Sequence, residues 1–173
     1  MSEKKILILG LGYIGLPLFL ILKSKKLNVI GYDIDSTKIL LLKKKKFIFN
    51  EKPLNNLYNK LNKNKNLTFV NKFVRSDVYI ICVPTPIKKN KTPNLTPLIN
   101  ASKVIGKYLS VNDIVIYEST VYPGCTEEEC VPILEKSSGM KFNTDFFCGY
   151  SPERISPGAV SYTHLTLPTI LLV

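Results

Sequence analysis

Three glycines near the amino terminus have the spacing of a loop that binds phosphate groups. Gly10, Gly12 and Gly15 form a G-x-G-x-x-G pattern directly after a short apolar stretch and before a segment with helical spacing. In such a strand-turn-helix unit the first glycine permits a tight turn, the second lets the backbone approach a pyrophosphate, and the third lets helix and strand pack closely. The helix amino terminus adds N–H groups and a positive dipole. The pattern therefore predicts a dinucleotide site.

An acidic residue lies where a ribose-binding group is expected. Asp33 ends the second strand-like stretch, eighteen residues after Gly15, and a carboxylate there would accept hydrogen bonds from the adenosine ribose hydroxyls. Its charge repels a 2′-phosphate, which favours NAD over NADP. Lys38 follows five residues later and is a candidate for the adenosine side of the site, with a solvated surface lysine as the alternative. A Rossmann-like domain that binds another ligand is the alternative for the whole site.

The elements that would position these residues alternate between short β-branched stretches and longer helical segments. This alternation predicts an α/β fold, a Rossmann-like doubly wound sheet that is mostly parallel. Strands are predicted at residues 5–9, 28–32, 67–70, 78–83, 113–117 and 146–149, and helices at 14–25, 36–44, 95–109 and 126–137. Residues 47–66 are predicted to form a polar, helical excursion between two such units.

Two proline-containing segments follow predicted strands. Residues 83–86 read Val-Pro-Thr-Pro, and residues 118–124 read Glu-Ser-Thr-Val-Tyr-Pro-Gly. Both are predicted to be loops at the carboxyl ends of parallel strands. Ligands bind along that edge in open α/β sheets, so both loops are candidates for the site.

Four motifs in this order resemble the UDP-glucose/GDP-mannose dehydrogenase family. They are the glycine loop of residues 10–17, the two proline-containing loops, and Gly-Tyr-Ser-Pro-Glu-Arg-Ile at residues 149–155. The sequences of the second proline-containing loop and of residues 149–155 are most similar to the branch that oxidises UDP-N-acetylhexosamines. UDP-glucose and UDP-N-acetylmannosamine are the alternative substrates. The resemblance implies oxidation of the sugar C6 alcohol to a carboxylate with two NAD+ and a thioester on a cysteine.

The resemblance also implies roles in cofactor binding for residues of three loops. The backbone of Gly12, Tyr13 and Ile14 would hold the pyrophosphate, and Thr85 and Thr120 would line the nicotinamide half. Threonines after strands also commonly stabilise turns or cap helices, which is their ordinary interpretation.

The last motif carries the implied catalytic and substrate residues. Glu153 matches the glutamate that works with a water in thioester hydrolysis, and we count it with Thr120 as a predicted catalytic residue. Arg154 and Ile155 match positions that contact substrate. A surface ion pair between Glu153 and Arg154 is the alternative interpretation.

The cysteines do not provide the family's nucleophile. Cys82, Cys125, Cys130 and Cys148 match neither that cysteine nor the spacing of a zinc site, and we predict no metal site and reduced thiols. The family's cysteine and its accompanying lysine lie beyond residue 173. We therefore expect an amino-terminal fragment that binds NAD and is inactive alone.

The carboxyl-terminal residues depart from the family pattern. We interpret residues 1–158 as the NAD-binding domain and residues 159–173 as a non-native tail, because they lack charge and resemble translated adapter sequence. His164, the sole histidine, lies in this segment and receives no catalytic role.

Composition limits the partners that we expect. The formal charge is +11, but its lysine clusters mix with asparagine, contain no arginine and offer few aromatic residues, so we predict neither nucleic-acid nor membrane binding. We expect a soluble, cytoplasmic protein that acts on a UDP-sugar and is a homo-oligomer at full length. A non-catalytic NAD-binding module is the rival from another functional class.

Overall fold

The computed structural model describes residues 3–44, 46, 52–63, 67–89 and 91–151, and this part of the chain contains six strands and five α-helices. The strands are β1 (Ile6–Leu9), β2 (Val29–Tyr32), β3 (Phe69–Val70), β4 (Val78–Ile81), β5 (Ile114–Tyr117) and β6 (Phe147–Tyr150). The helices are α1 (Gly15–Ser24), α2 (Ser36–Lys43), α3 (Lys52–Lys63), α4 (Thr96–Gly106) and α5 (Val131–Ser138).

The strands form one sheet in the order β3-β2-β1-β4-β5-β6, and every pairing between these strands is parallel. Leu7 at the centre of β1 is in register with Ile30 of β2 and with Tyr79 of β4. The chain runs outward on one side of β1 from β2 to β3, and on the other side from β4 to β6. A crevice therefore opens between the carboxyl ends of β1 and β4, where the order reverses. The predicted Rossmann-like fold is confirmed.

Apolar side chains of the strands cover both faces of the sheet, as expected where helices pack on both sides. Leu7 and Leu9 of β1 join one core with residues of α4 and α5, whereas Ile8 joins a second core with residues of α1, α2 and α3. The period-2 alternation of a strand explains this division. Two buried cores fix β1 and thereby the glycine loop that follows it.

The predicted helix over residues 126–137 begins with one wide turn. Residues Thr126–Cys130 form a π-helical turn, in which the N–H of Val131 donates to the carbonyl of Thr126, and α5 follows it. Pro132 accounts for the widening, because proline has no N–H to donate and its ring clashes with the carbonyl four residues earlier in a regular α-helix. The helix lies where it was predicted, but its first turn is π-helical rather than α-helical.

The four cysteines are free thiols. Cys82, Cys125 and Cys130 are buried, whereas Cys148 on β6 is only partly buried. The partial burial of Cys148 has a structural reason, because β6 is the last strand of the described sheet and has a neighbour on one side.

Candidate functional site

A cavity of about 770 Å³ lies at the carboxyl edge of the sheet, over the crevice between β1 and β4. The loops after β1, β2, β4 and β5 supply its floor and rim, and one face of α4 supplies a wall. Of the predicted cofactor residues it is lined by Gly10, Gly12, Tyr13, Ile14, Asp33, Lys38, Thr85 and Thr120.

Two glycines allow the loop after β1 to pack against β4. Gly10 has a φ of 91°, and a Cβ atom there would lie 2.7 Å from the carbonyl oxygen of Cys82. A Cβ atom on Gly15 would collide with the carbonyl oxygen of Gly10. Gly15 thus lies behind the loop, where it lets α1 start close to β1.

Gly12 has a different environment. A Cβ atom added to Gly12 would meet no described atom within 4 Å, so this side of the loop faces open cavity. Ile14 precedes α1 and no side chain of the described residues caps the helix there. Open space beside a helix amino terminus fits a pyrophosphate, because the helix dipole and N–H groups favour an anion. The residues present therefore fit the dinucleotide that the spacing predicts.

Asp33 presents a buried carboxylate to the cavity. Its Oδ2 accepts hydrogen bonds from the N–H of Leu11 at 2.9 Å and from Nζ of Lys38 at 2.7 Å, and its Oδ1 accepts from the N–H of Asp35 at 2.9 Å. Burial raises the pKa of Asp33, but the bonds from Lys38, Asp35 and Leu11 outweigh burial and hold the pKa below its usual value. Asp33 is therefore ionised at neutral pH, as a ribose acceptor and a barrier to a 2′-phosphate need to be.

Lys38 is partly buried and forms an ion pair with Asp33. Its position on the cavity wall differs from that of a fully solvated surface lysine, and its role on the adenosine side stays a prediction. The contact follows from helix geometry: Asp33 precedes α2 and Lys38 lies in the first turn of that helix.

Two hydrogen bonds join the loops after β4 and β5. The hydroxyl of Thr85 donates to the carbonyl of Thr120 at 2.8 Å, and the hydroxyl of Ser119 donates to the carbonyl of Val83 at 2.7 Å. The structure thus brings the two predicted threonines together. Ser119 is a cavity residue that the sequence analysis missed, although its place beside Thr120 was a usable signal.

The wall formed by α4 was also missed. Its residues at the cavity are Pro97, Asn100, Ala101 and Val104, with Asn94 and Thr96 at the start of the helix. Their spacing of three, four and seven residues marks one face of a helix. Because a polar asparagine interrupts this face, apolar periodicity alone did not identify it.

The three residues predicted from the last motif, Glu153, Arg154 and Ile155, lie outside the described residues, so their roles stay predictions. The start of that motif is described. The hydroxyl of Tyr150 donates to the carbonyl of Val121 at 2.9 Å, which ties the end of β6 to the loop after β5.

Within the described ranges, no group of three or more His, Cys, Asp or Glu residues could hold a metal ion. No helix in those ranges is both long enough and apolar enough to cross a membrane.

Sequence comparison identifies one family. Residues 4–172 match the NAD binding domain of the UDP-glucose/GDP-mannose dehydrogenase family. The chain is 51% identical over 160 residues to a UDP-N-acetyl-D-glucosamine 6-dehydrogenase from Salmonella typhi, which covers 91% of this chain and 36% of that protein. It is 49% identical to the enzyme of that name from Pseudomonas aeruginosa, over 91% of this chain and 37% of the relative. The chain thus spans little more than a third of these relatives.

Solved structures agree in fold. A ternary complex of GDP-mannose dehydrogenase from Pseudomonas aeruginosa superimposes with a TM-score of 0.81 and 33% identity, covering 88% of this chain and 36% of that one. A UDP-D-ManNAc dehydrogenase from Pyrococcus horikoshii gives a TM-score of 0.82 and 32% identity, covering 90% and 38%.

Proposed function

Since this chain belongs to the UDP-glucose/GDP-mannose dehydrogenase family, we propose that it is the NAD-binding part of a nucleotide-sugar 6-dehydrogenase. The full protein would oxidise the C6 alcohol of a UDP-N-acetylhexosamine to a uronic acid with two NAD+, for surface polysaccharide synthesis. The observation that carries the proposal is the cavity, which joins an open glycine loop, an ionised ribose acceptor and two linked strand-end loops. A cytoplasmic location and a homo-oligomeric full-length protein are parts of the same proposal.

Identity supports the choice of sugar. The two UDP-N-acetyl-D-glucosamine 6-dehydrogenases are 51% and 49% identical to the chain. A UDP-N-acetyl-D-mannosamine dehydrogenase from Methanococcus aeolicus is 36% identical over a similar length. The difference favours an N-acetylglucosamine-type substrate over its C2 epimer, with UDP-glucose and UDP-N-acetylmannosamine as the alternatives.

Different cavity residues would bind different parts of the cofactor. The backbone of Gly12, Tyr13 and Ile14 would hold the pyrophosphate, and Asp33 would accept hydrogen bonds from the adenosine ribose. Lys38 keeps the Asp33 carboxylate ionised and in place.

The nicotinamide end of the cofactor would lie beside Thr85 and Thr120. Bound NAD+ supplies the acceptor for the hydride that leaves C6 of the sugar. Thr85 and Ser119 fix the two loops against each other, and Thr120 would line the face that the sugar approaches. Glu153 would position a water, and Arg154 and Ile155 would contact the sugar nucleotide.

Calorimetric titration of the 173-residue chain with NAD+ and, separately, NADP+ tests the cofactor assignment. We expect NAD+ to bind in preference to NADP+. Asp33→Ala should weaken NAD+ binding roughly 10- to 100-fold, because a hydrogen bond to a charged group contributes about 1.5–3 kcal/mol. Glu127→Ala removes an exposed carboxylate outside the cavity and serves as the matched control. Equal loss in both variants would contradict the assignment.

The substrate assignment requires the full-length protein. We expect NADH to form fastest with UDP-N-acetylglucosamine or UDP-N-acetylgalactosamine, and more slowly with UDP-N-acetylmannosamine and UDP-glucose. The 173-residue chain should bind NAD+ without turnover. Faster oxidation of UDP-glucose would contradict the choice of sugar, and turnover by the short chain would contradict the missing nucleophile. A full-length protein that binds NAD+ and oxidises none of them would favour the non-catalytic module.

A further inference from the structure

A second carboxylate stands on the cavity wall beside Asp33. Asp35 immediately precedes α2, and its Oδ1 accepts hydrogen bonds from the N–H of Thr37 at 2.9 Å and the N–H of Lys38 at 3.1 Å. Its own N–H donates to Oδ1 of Asp33. Unlike Asp33, it is exposed, and it lines the same cavity.

These contacts place a negative charge where an anion would otherwise bind. A helix amino terminus attracts phosphate because its first N–H groups have no partner within the helix and its dipole is positive there. At α2 two of those N–H groups already bind the protein's own carboxylate. An incoming phosphate would have to displace Asp35 and would meet its charge.

The same helix carries the cation that a phosphate would need. Nζ of Lys38 lies 2.7 Å from Oδ2 of Asp33, so its charge is already matched. Loss of Asp33 would release Lys38 toward the cavity, and the site would then contain a free cation beside the ribose position. Asp35 would remain as the barrier at the helix terminus.

We propose that Asp35 is a specificity-determining residue, which excludes a dinucleotide with a 2′-phosphate by occupying the anion position at the amino terminus of α2. The choice of NAD over NADP is then shared between two carboxylates. Asp33 binds the ribose hydroxyls, and Asp35 blocks the phosphate. This inference rests on the NAD site described above, which the titration of the unmodified chain with NAD+ tests by itself.

A double-mutant cycle separates the two carboxylates. The variants are Asp33→Ser, Asp35→Ser and the pair, each titrated with NAD+ and NADP+. Serine caps helices about as well as aspartate, so Asp35→Ser removes the charge and bulk while keeping an acceptor for the N–H groups of α2. Asp33→Ser with Glu127→Gln has the same change in net charge as the pair and is the matched control.

The expected result is a gain in NADP+ affinity that requires the change at Asp35. Asp33→Ser alone should bind NADP+ weakly, and the pair should bind it about 10-fold more tightly or better, since removal of a nearby like charge and of a steric block both favour the phosphate. The control pair should resemble Asp33→Ser. NADP+ binding by Asp33→Ser that equals that of the double variant would overturn the proposal, as would an equal gain in the control.

Thermal unfolding of each variant checks that the protein is folded at the temperature of the titration. If Asp33→Ser unfolds, Asp33→Asn keeps an acceptor for the N–H of Leu11 and the cycle is run with asparagine at that position. NADP+ affinity is then compared between Asp33→Asn and the double variant Asp33→Asn/Asp35→Ser. A gain in the double variant supports the proposal, and equal affinities overturn it.

Discussion

Single residues determine the charge within the cavity, and Asp33 shows how. Its side chain is 7% exposed, yet it carries a negative charge because three donors surround it. The cost of burying a carboxylate is therefore offset by Lys38 and by two backbone N–H groups.

Asp33 should make stability depend on pH in a defined window. Its pKa is lowered in the folded state, so its contribution is fully present above the ordinary carboxyl pKa of about 4 and is lost as the pH falls through the folded value. The free energy of unfolding is measured with urea for the wild type and for Asp33→Asn from pH 7 to 3. We expect the wild type to be more stable at neutral pH and this difference to shrink below about pH 4. Lys38→Met should reduce this pH dependence. A pH-independent difference would show that the pKa is not lowered.

The thiols should resist modification in the folded protein. Burial raises the pKa of Cys130 to about 11 and also raises those of Cys125 and Cys148. Since the thiolate is the reactive form, we expect Cys130 to react with a thiol reagent at pH 8 about 100-fold more slowly than in guanidinium, and Cys125 and Cys148 to react more slowly as well. Mass spectrometry identifies the labelled residue, and rapid labelling of Cys130 in the native chain would contradict the prediction.

Sequence spacing was sufficient for residues whose chemistry is tied to a backbone pattern. Gly10, Gly12 and Asp33 were found because a turn, a helix start and a strand end fix their positions relative to one another. Ser119 and Asn100 were not found, since their positions at the cavity depend on which loops and helices meet in the folded chain.

At the scale of elements, the contact between α4 and α5 depends on a glycine. A Cβ atom on Gly106 would lie 2.5 Å from Cβ of Ser137 and 3.2 Å from the carbonyl oxygen of Leu134. The two helices therefore approach closely, and α4 is held at the angle that presents Asn100 to the cavity.

Gly106→Ala should destabilise the protein although alanine favours helices. Overpacking typically costs about 1–3 kcal/mol, against a helix-propensity gain of at most about 1 kcal/mol. We expect a net loss of about 1–2 kcal/mol in urea unfolding. In a Ser137→Gly background the same substitution should cost less, because the first clash is removed. An equal cost in both backgrounds would mean that α4 and α5 do not meet at this residue.

Element positions were largely predictable because the apolar stretches differ in period and length. The predicted strand over residues 113–117 is observed as Ile114–Tyr117, and the helix within residues 47–66 as Lys52–Lys63. The π-helical turn before α5 was not predicted. Pro132 is the seventh residue of the helix predicted over residues 126–137, where proline disturbs the regular hydrogen bonding. The sequence does not show how the chain adjusts, and only the observed carbonyl positions show that the preceding turn widens.

At the scale of the whole molecule, the two cores involve strands and helices from most of the described part of the chain. The buried residues of both clusters lie between Leu7 and Phe146. Our interpretation of the last segment as a non-native tail stays a prediction, and the family match extends through it to residue 172.

Deletion of residues 159–173 tests that interpretation. We expect the free energy of unfolding to change by less than about 0.5 kcal/mol, because a non-native tail would contribute no native contacts. We also expect NAD+ affinity to be unchanged in titration. Deletion from residue 146 onward is the control, because it removes buried Phe146 and all of β6 and should abolish cooperative unfolding. A loss above about 2 kcal/mol on the shorter deletion would assign the tail to the fold.

The pair of hydrogen bonds between the loops after β4 and β5 has a thermodynamic consequence. Thr85 reaches the backbone of one loop and Ser119 reaches the backbone of the other, so the two loops are crosslinked in both directions before any ligand arrives. Ordering a residue costs about 1–2 kcal/mol of conformational entropy. Here that cost is met when the protein folds, and the part of the cavity lined by these two loops is therefore preorganised.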